Sequence, residues 1–237
     1  MTAYVGASPL TISNVTYRGI DFSHVVMNGN WTGSNITFID CNLGPWAGFL
    51  LDHDIFISHS KASGIQFDGT TRATVEFTDF SGFQDDPMQV FSSHAMNYDI
   101  NIRHNWVHNG GVYTNHIDGV QVRGGVRVSI TENFFNIPYV STSSTGYVNS
   151  CVLIDAPGTT GGNQNIIVSN NWLYGGGYTF RLGSPTPGNV ILTNNVFVPG
   201  LWGAYINHTN GATQLQQAFG NVLASTGAAV PGIPIIP

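Results

Sequence analysis

Two aspartates, Asp86 and Asp118, stand just ahead of short runs of one form, PMQVFS (87–92) and GVQVRG (119–124), which carry Gln89 and Gln121 at matching places. Runs that match in phase stack as neighbouring strands. Strands lie about 4.8 Å apart, so the two carboxylates would come within roughly 5 Å, near the separation of a retaining glycosidase pair. Like charges that close raise one pKa and set a proton donor beside a base. Asp85 and His116 flank the pair. Arg123 and Arg181, two of only six arginines, fall on the same face. Either would neutralise an acidic sugar, as a lyase requires, or pair with Asp155 or Asp118. The candidate catalytic residues are therefore Asp118, Asp86, His116 and Arg181, with Gln89, Gln121, Arg123 and Asp85 as candidate substrate contacts.

Each residue also has a plainer reading. Asp118-Gly119 is a turn signal, and Asp85-Asp86-Pro87 reads as turn initiation. Gln66, Gln89 and Gln121 would equally form an outward hydrogen-bonding ladder. No metal or cofactor is expected, and no Cys/His spacing matches a zinc site. The one ion that Asp85, Asp86 and Asp118 are suited to hold is calcium, through hard oxygen ligands.

The elements that would position these groups come from an internal repeat. Segments of one pattern begin at Asn14, Asn35, Asp54, Thr74, Asp99, Arg127, Asn165 and Asn189, with a ninth copy near Leu215. Each opens on a mostly polar turn residue, alternates apolar positions, breaks at a polar pair and resumes with bulky apolar groups. A second strand follows, alternating so that Ile65, Phe67, Met88, Val90, Val120, Val122, Val152 and Ile154 point inward. Stacked second strands align Gln66, Gln89, Gln121, Leu153 and Arg181 in one outward column, with Tyr205 next. Asn105, Asn133, Asn171 and Asn195 share a phase in four consecutive repeats, with Cys41 and Phe80 assigned to it earlier in the chain, where the column is expected to be apolar. Inward amides there would bond from coil to coil, since a buried amide is costly unless paired. An antiparallel sandwich also uses many short strands, but hairpin signals are rare here. The reading is all-β: a single-domain right-handed parallel β-helix of about eight to nine coils with an asparagine ladder. Coils occupy 1–213, and 214–237 form a final coil, cap and tail.

Composition agrees. Only 8% of the 237 residues are charged, with one lysine and two glutamates, against 23 asparagines and 29 glycines. Helix formers are scarce and turn formers abundant. Seven basic residues and a net charge of −6 exclude a reader of the phosphate backbone. No run approaches 18 apolar residues, so no insertion into a membrane is expected. Residues 1–10 lack the basic and apolar regions of a signal peptide. The sequons at Asn14, Asn30, Asn35 and Asn207 are what chance provides in so Asn- and Thr-rich a chain. Cys41 and Cys151, four coils apart, would lie near 19 Å from each other at about 4.8 Å per coil, beyond disulfide reach. Trp106, Phe134 and Trp172 are expected in the core or under a loop, Trp46 and Trp202 in connections, and the 137–149 insertion as a wall beside Asp118.

The repeat, the asparagine column and the phrase Asn115-His116-Ile117-Asp118-Gly119-Val120-Gln121-Val122 before Gly124-Gly125 resemble the right-handed parallel β-helix (pectate-lyase-like) superfamily. The H-x-D-G-[IV]-Q form is similar to one found in secreted actinobacterial carbohydrate-active proteins and in minor tail proteins of their phages. That resemblance implies a protein that engages host or environmental polysaccharide. It would be a virion-associated receptor-binding or depolymerase-type protein, with a secreted lyase or glycoside hydrolase and a non-catalytic structural domain as the alternatives. It further implies a virion or extracellular location, contact with other virion proteins and a homotrimer. The fold carries lyases, hydrolases, epimerases and adhesins alike. Its usual N-terminal helical cap has no candidate in 1–9, so that end would need cover from further chain or another subunit.

Overall fold

The computed structural model describes residues 10–24, 31–111, 116–141, 146–155, 162–183, 189–208 and 215–237. The described residues contain strands and turns and no helix. The chain passes repeatedly through three sheets, always in the same order, and every strand pair within them is parallel. This is a right-handed parallel β-helix.

The first sheet has nine strands, from Leu10–Arg18 to Leu215–Phe219. The second has seven short strands, from Lys61–Ala62 to Val222–Leu223. The third has seven, from Ala47–Leu50 to Gly203–Asn207. Each sequence repeat is thus a first-sheet strand, a corner at its polar pair and a second-sheet strand, followed by the third-sheet strand. The ninth copy is the strand at Leu215. After it the tail turns back, with antiparallel bridges Ala218–Ile236 and Val222–Ala229. That return occupies backbone groups on the last coil that would otherwise be an open sheet edge. The expected boundary at 213 lies outside the described residues.

Period-2 alternation decides the core. Ile65, Phe67, Met88, Val90, Val120, Val122, Val152 and Ile154 are all buried, as are Phe38, Phe135, Phe180 and Phe197 from other strands. Each buried side chain of this size contributes about 1.5–3 kcal/mol. Rings in consecutive coils also stack, as Phe49 does on Phe67 at 5.6 Å.

At the first corner the leading residue of the polar pair takes a left-handed conformation (Asp40, His59, Phe77, His104, Glu132, Asn170, Asn194). The next residue then points inward. Asn105 donates Nδ2–H to Oδ1 of Asn133, Asn133 to Asn171, Asn171 to Asn195 and Asn195 to Asn221, each at 3.0 Å. The same oxygens accept the backbone N–H of the preceding asparagine. Towards the N-terminus the phase passes through Thr78, Ser60 and Cys41. Thr78 N–H donates to Asn105 Oδ1, and Cys41 N–H to Ser60 Oγ. Phe80 belongs to another column, paired with Val107 and Ala62. The early column is therefore hydroxyl and thiol rather than apolar. Cys41 and Cys151 are both free and buried.

Trp106, Phe134 and Trp172 are not in the core. They are 48%, 44% and 38% exposed and line the outer face of the second sheet. The residue after each inward asparagine must point out, and the following one (Val107, Phe135, Leu173) points in.

Candidate functional site

The outer face of the third sheet carries Gln66, Gln89 and Gln121 in register on adjacent strands. Leu153 and Arg181 continue the column, and Ile206 rather than Tyr205 follows. Tyr205 stacks instead on Phe180 at 6.1 Å. Over the three glutamines lies a cleft of about 270 Å³, completed by Asp85, Asp86, His116, Arg123 and Phe91. Six of the eight residues expected at a site thus line one cleft. The Arg123 guanidinium sits 5.3 Å over the Phe91 ring, a cation–π contact.

Asp118 and Arg181 do not line the cleft: Arg181 is half-buried further along the same outward column, and Asp118 lies beneath the surface. Asp118 is completely buried in the strand His116–Arg123, so Asp118-Gly119 is not a turn. Gly119 is needed there because a Cβ would stand 2.6 Å from the Cys151 carbonyl oxygen. Opposite, the pairing slips: Ile117 faces Val148 and Asp118 faces Ser150, which leaves Asn149 as an extra residue. Such bulges re-aim side chains. Asn149 Nδ2–H donates to Asp118 Oδ1 at 2.8 Å, and Ser150 Oγ–H donates to the same oxygen. Arg181 Nη1–H donates to Asn149 Oδ1. Among the described residues, Asp118 Oδ2 and Arg181 Nε have no hydrogen-bond partner.

The two aspartates are in adjacent coils, joined through the backbone. Asp86 Oδ1 accepts the Asp118 N–H at 2.6 Å, and its Oδ2 accepts from Gln89 Nε2 at 3.2 Å. Asp86 is itself 3% exposed. Burial, then the Asp118 charge, holds the Asp86 carboxyl well above the usual carboxylate range. Burial also raises Asp118, against the pull of Ser150, His116 and Arg181. The acid beside the cleft is thus Asp86, and Asp118 supports it from below. Asp85 is exposed, and its Oδ1 accepts the Asp86 N–H at 2.9 Å. Among the described residues no group of three or more His, Cys, Asp or Glu is arranged to hold a metal ion.

No family model matches this chain, and no curated protein matches it. What the site can do is read from its own chemistry. It has a polar amide floor, one cation, one exposed carboxylate and one acid with a raised pKa.

Asn149 and Ser150 were not among the expected site residues. Both sit at or just past the end of the 137–149 insertion, and the one-residue slip that aims them leaves no trace in composition. The insertion itself is described in part. Val148 N–H donates to the Val140 carbonyl, and Ser141 bridges Tyr147. Residues 142–145 lie outside the described residues.

Proposed function

We propose that the protein binds an extended polysaccharide along the outer face of its third sheet, with the Gln66–Gln89–Gln121 column as the floor of the site. The observation that carries this is the cleft over three in-register amides. Each amide offers a donor and an acceptor about 4.8 Å from the next, and a glycan presents hydroxyls in just such a repeating row. Low charge on the protein suits a ligand recognised by hydrogen bonds. The likeness of the phrase His116–Gln121 to actinobacterial carbohydrate-active and phage minor tail proteins supports a host or environmental surface glycan as the target, and a virion-associated or extracellular setting.

A second reading, cleavage of that glycan, is favoured by Asp86. A carboxyl with its pKa raised by burial is suited to protonate a leaving oxygen. Asp85, exposed in the same cleft, is the carboxylate placed to act with it. Asp118 does not reach the cleft.

The test is retention of the native protein, Gln89→Ala and Gln121→Ala on a panel of immobilised plant, fungal and bacterial polysaccharides, with reducing ends measured in parallel. Retention of the native chain by at least one polysaccharide, weakened about tenfold by each substitution, is expected from the loss of one or two hydrogen bonds. Equal retention of all three proteins would remove the cleft from the account.

A further inference from the structure

The starts of the third-sheet strands carry a row of rings that nothing in the cleft accounts for. His116 opens one strand, Tyr147 the next and Tyr178 the one after, and Trp202 stands just before Gly203–Asn207. The His116 and Tyr147 rings are 6.4 Å apart, Tyr147 and Trp202 5.8 Å, and Tyr178 and Trp202 5.8 Å. Tyr139, from the described part of the insertion, closes on Trp202 at 5.5 Å and on Tyr147 at 6.2 Å.

Trp202 is held firmly yet left open. Its backbone N–H donates to the Gly177 carbonyl at 2.7 Å, and its indole lies where a Cβ on Gly177 would be, 2.2 Å from the ring carbons. One part of the ring therefore rests on bare backbone, while the residue stays 45% exposed. The three tyrosines are half-buried around it.

The row is continuous with the cleft. His116 belongs to both, and Asp85 and Asp86 occupy the same edge one coil earlier, just ahead of Met88–Phe91. From the Gln66 strand to the Gly203 strand is five steps of about 4.8 Å, or about 24 Å along the axis.

We propose that Tyr139, Tyr147, Tyr178 and Trp202 form a second set of subsites for the same glycan, which take the apolar C–H face of its sugar rings. The inference rests on the cleft's binding a polysaccharide. A sugar ring has a hydroxyl-bearing edge and a C–H face. The amide column meets the first by hydrogen bonding, and exposed tyrosine and indole rings meet the second by burying apolar area without removing a charge from water. The partner is an oligosaccharide long enough to leave the cleft and continue past His116.

The experiment titrates short and long oligosaccharides of whichever polysaccharide the native protein retains, against the native chain, Trp202→Leu, Tyr147→Leu and Gln121→Ala. Leucine keeps apolar packing on Gly177 but has no aromatic face, and thermal unfolding of each variant checks that the coils persist. Both leucine variants should lose about tenfold in affinity for long oligosaccharides and none for short ones, whereas Gln121→Ala should lose affinity for both. As a second readout, long but not short oligosaccharides should perturb the tryptophan fluorescence of the native chain, and Trp202→Leu should abolish that change. If Gln121→Ala weakens binding while the leucine variants bind every length as the native chain does, the aromatic subsites are overturned and the cleft stands. If neither type of variant matters, or no polysaccharide is retained, both readings fall.

Discussion

Asp86 and Asp118 are joined through the backbone: the Asp118 N–H donates to Asp86 Oδ1 at 2.6 Å across adjacent coils. The amide bond aims Asp86, and the Asp118 carboxyl, buried behind it, raises the proton affinity of its neighbour. One acid is thereby presented to the cleft, and the other acts on it.

That arrangement separates the two residues in cleavage assays. Asp86→Asn keeps the acceptor for Asp118 but has no carboxyl proton to give, so it should reduce any turnover by about 100-fold or more with retention within a few-fold. Asp118→Asn removes a charge that raises Asp86. A general acid works while protonated, and its activity is lost as pH rises through its pKa. The alkaline limb of a pH–rate profile should therefore move to lower pH in Asp118→Asn, without loss of the maximum. Abolition of turnover in Asp118→Asn with Asp86→Asn unaffected would falsify the assignment.

Asp52 gives the fold a pH dependence of its own. It is 1% exposed, and burial, outweighing hydrogen bonds from the Gly33 and Leu50 backbone, pushes its pKa up to about 7. In the unfolded chain the value is about 3.9. Between these two pH values the folded state holds the extra proton, so stability falls as pH rises from about 4 to about 7 and stays low above that. Asp52→Asn should flatten this slope and stabilise the protein at pH 8 by a few kcal/mol. Denaturant midpoints at pH 5 and pH 8 check it.

The asparagine column should be sensitive to any apolar replacement. Asn133 accepts from both the backbone and side chain of Asn105 and donates to Ile102 O and Asn171 Oδ1. Asn133→Leu preserves volume but leaves buried partners unmatched, at a cost of about 2–4 kcal/mol. Chemical denaturation measures it, and a change below about 0.5 kcal/mol would contradict the role given to these bonds.

Neither thiol should react while the coils are intact. Cys41 and Cys151 are buried, and burial, followed by the Asp118 charge, raises the Cys151 thiol well above its ordinary value. An aromatic disulfide reagent should titrate both cysteines in denaturant and react at least about 100-fold more slowly with the native protein. Fast reaction of either in native buffer would mean that its coil opens.

The repeat alone specified the coils. The inward set from Ile65 to Ile154, the column from Asn105 to Asn195, the alignment of Gln66, Gln89 and Gln121, and two unpaired cysteines all follow from a periodicity that each coil restates. Depth and aim were decided by neighbouring coils. Thr78 and Ser60, not Phe80, continue the asparagine column, because phase counts from the corner and not from the apolar pattern. Trp106, Phe134 and Trp172 are bulky enough to be expected inside, yet strand alternation turns them out. Asp118 is as polar as Asp86, but one extra residue at Asn149 brings Asn149 and Ser150 onto its carboxyl and leaves the cleft to Asp86. A slip of one residue changes which groups face one another without altering the alternation of either strand. For that reason the site, unlike the coil, belonged to the tertiary structure.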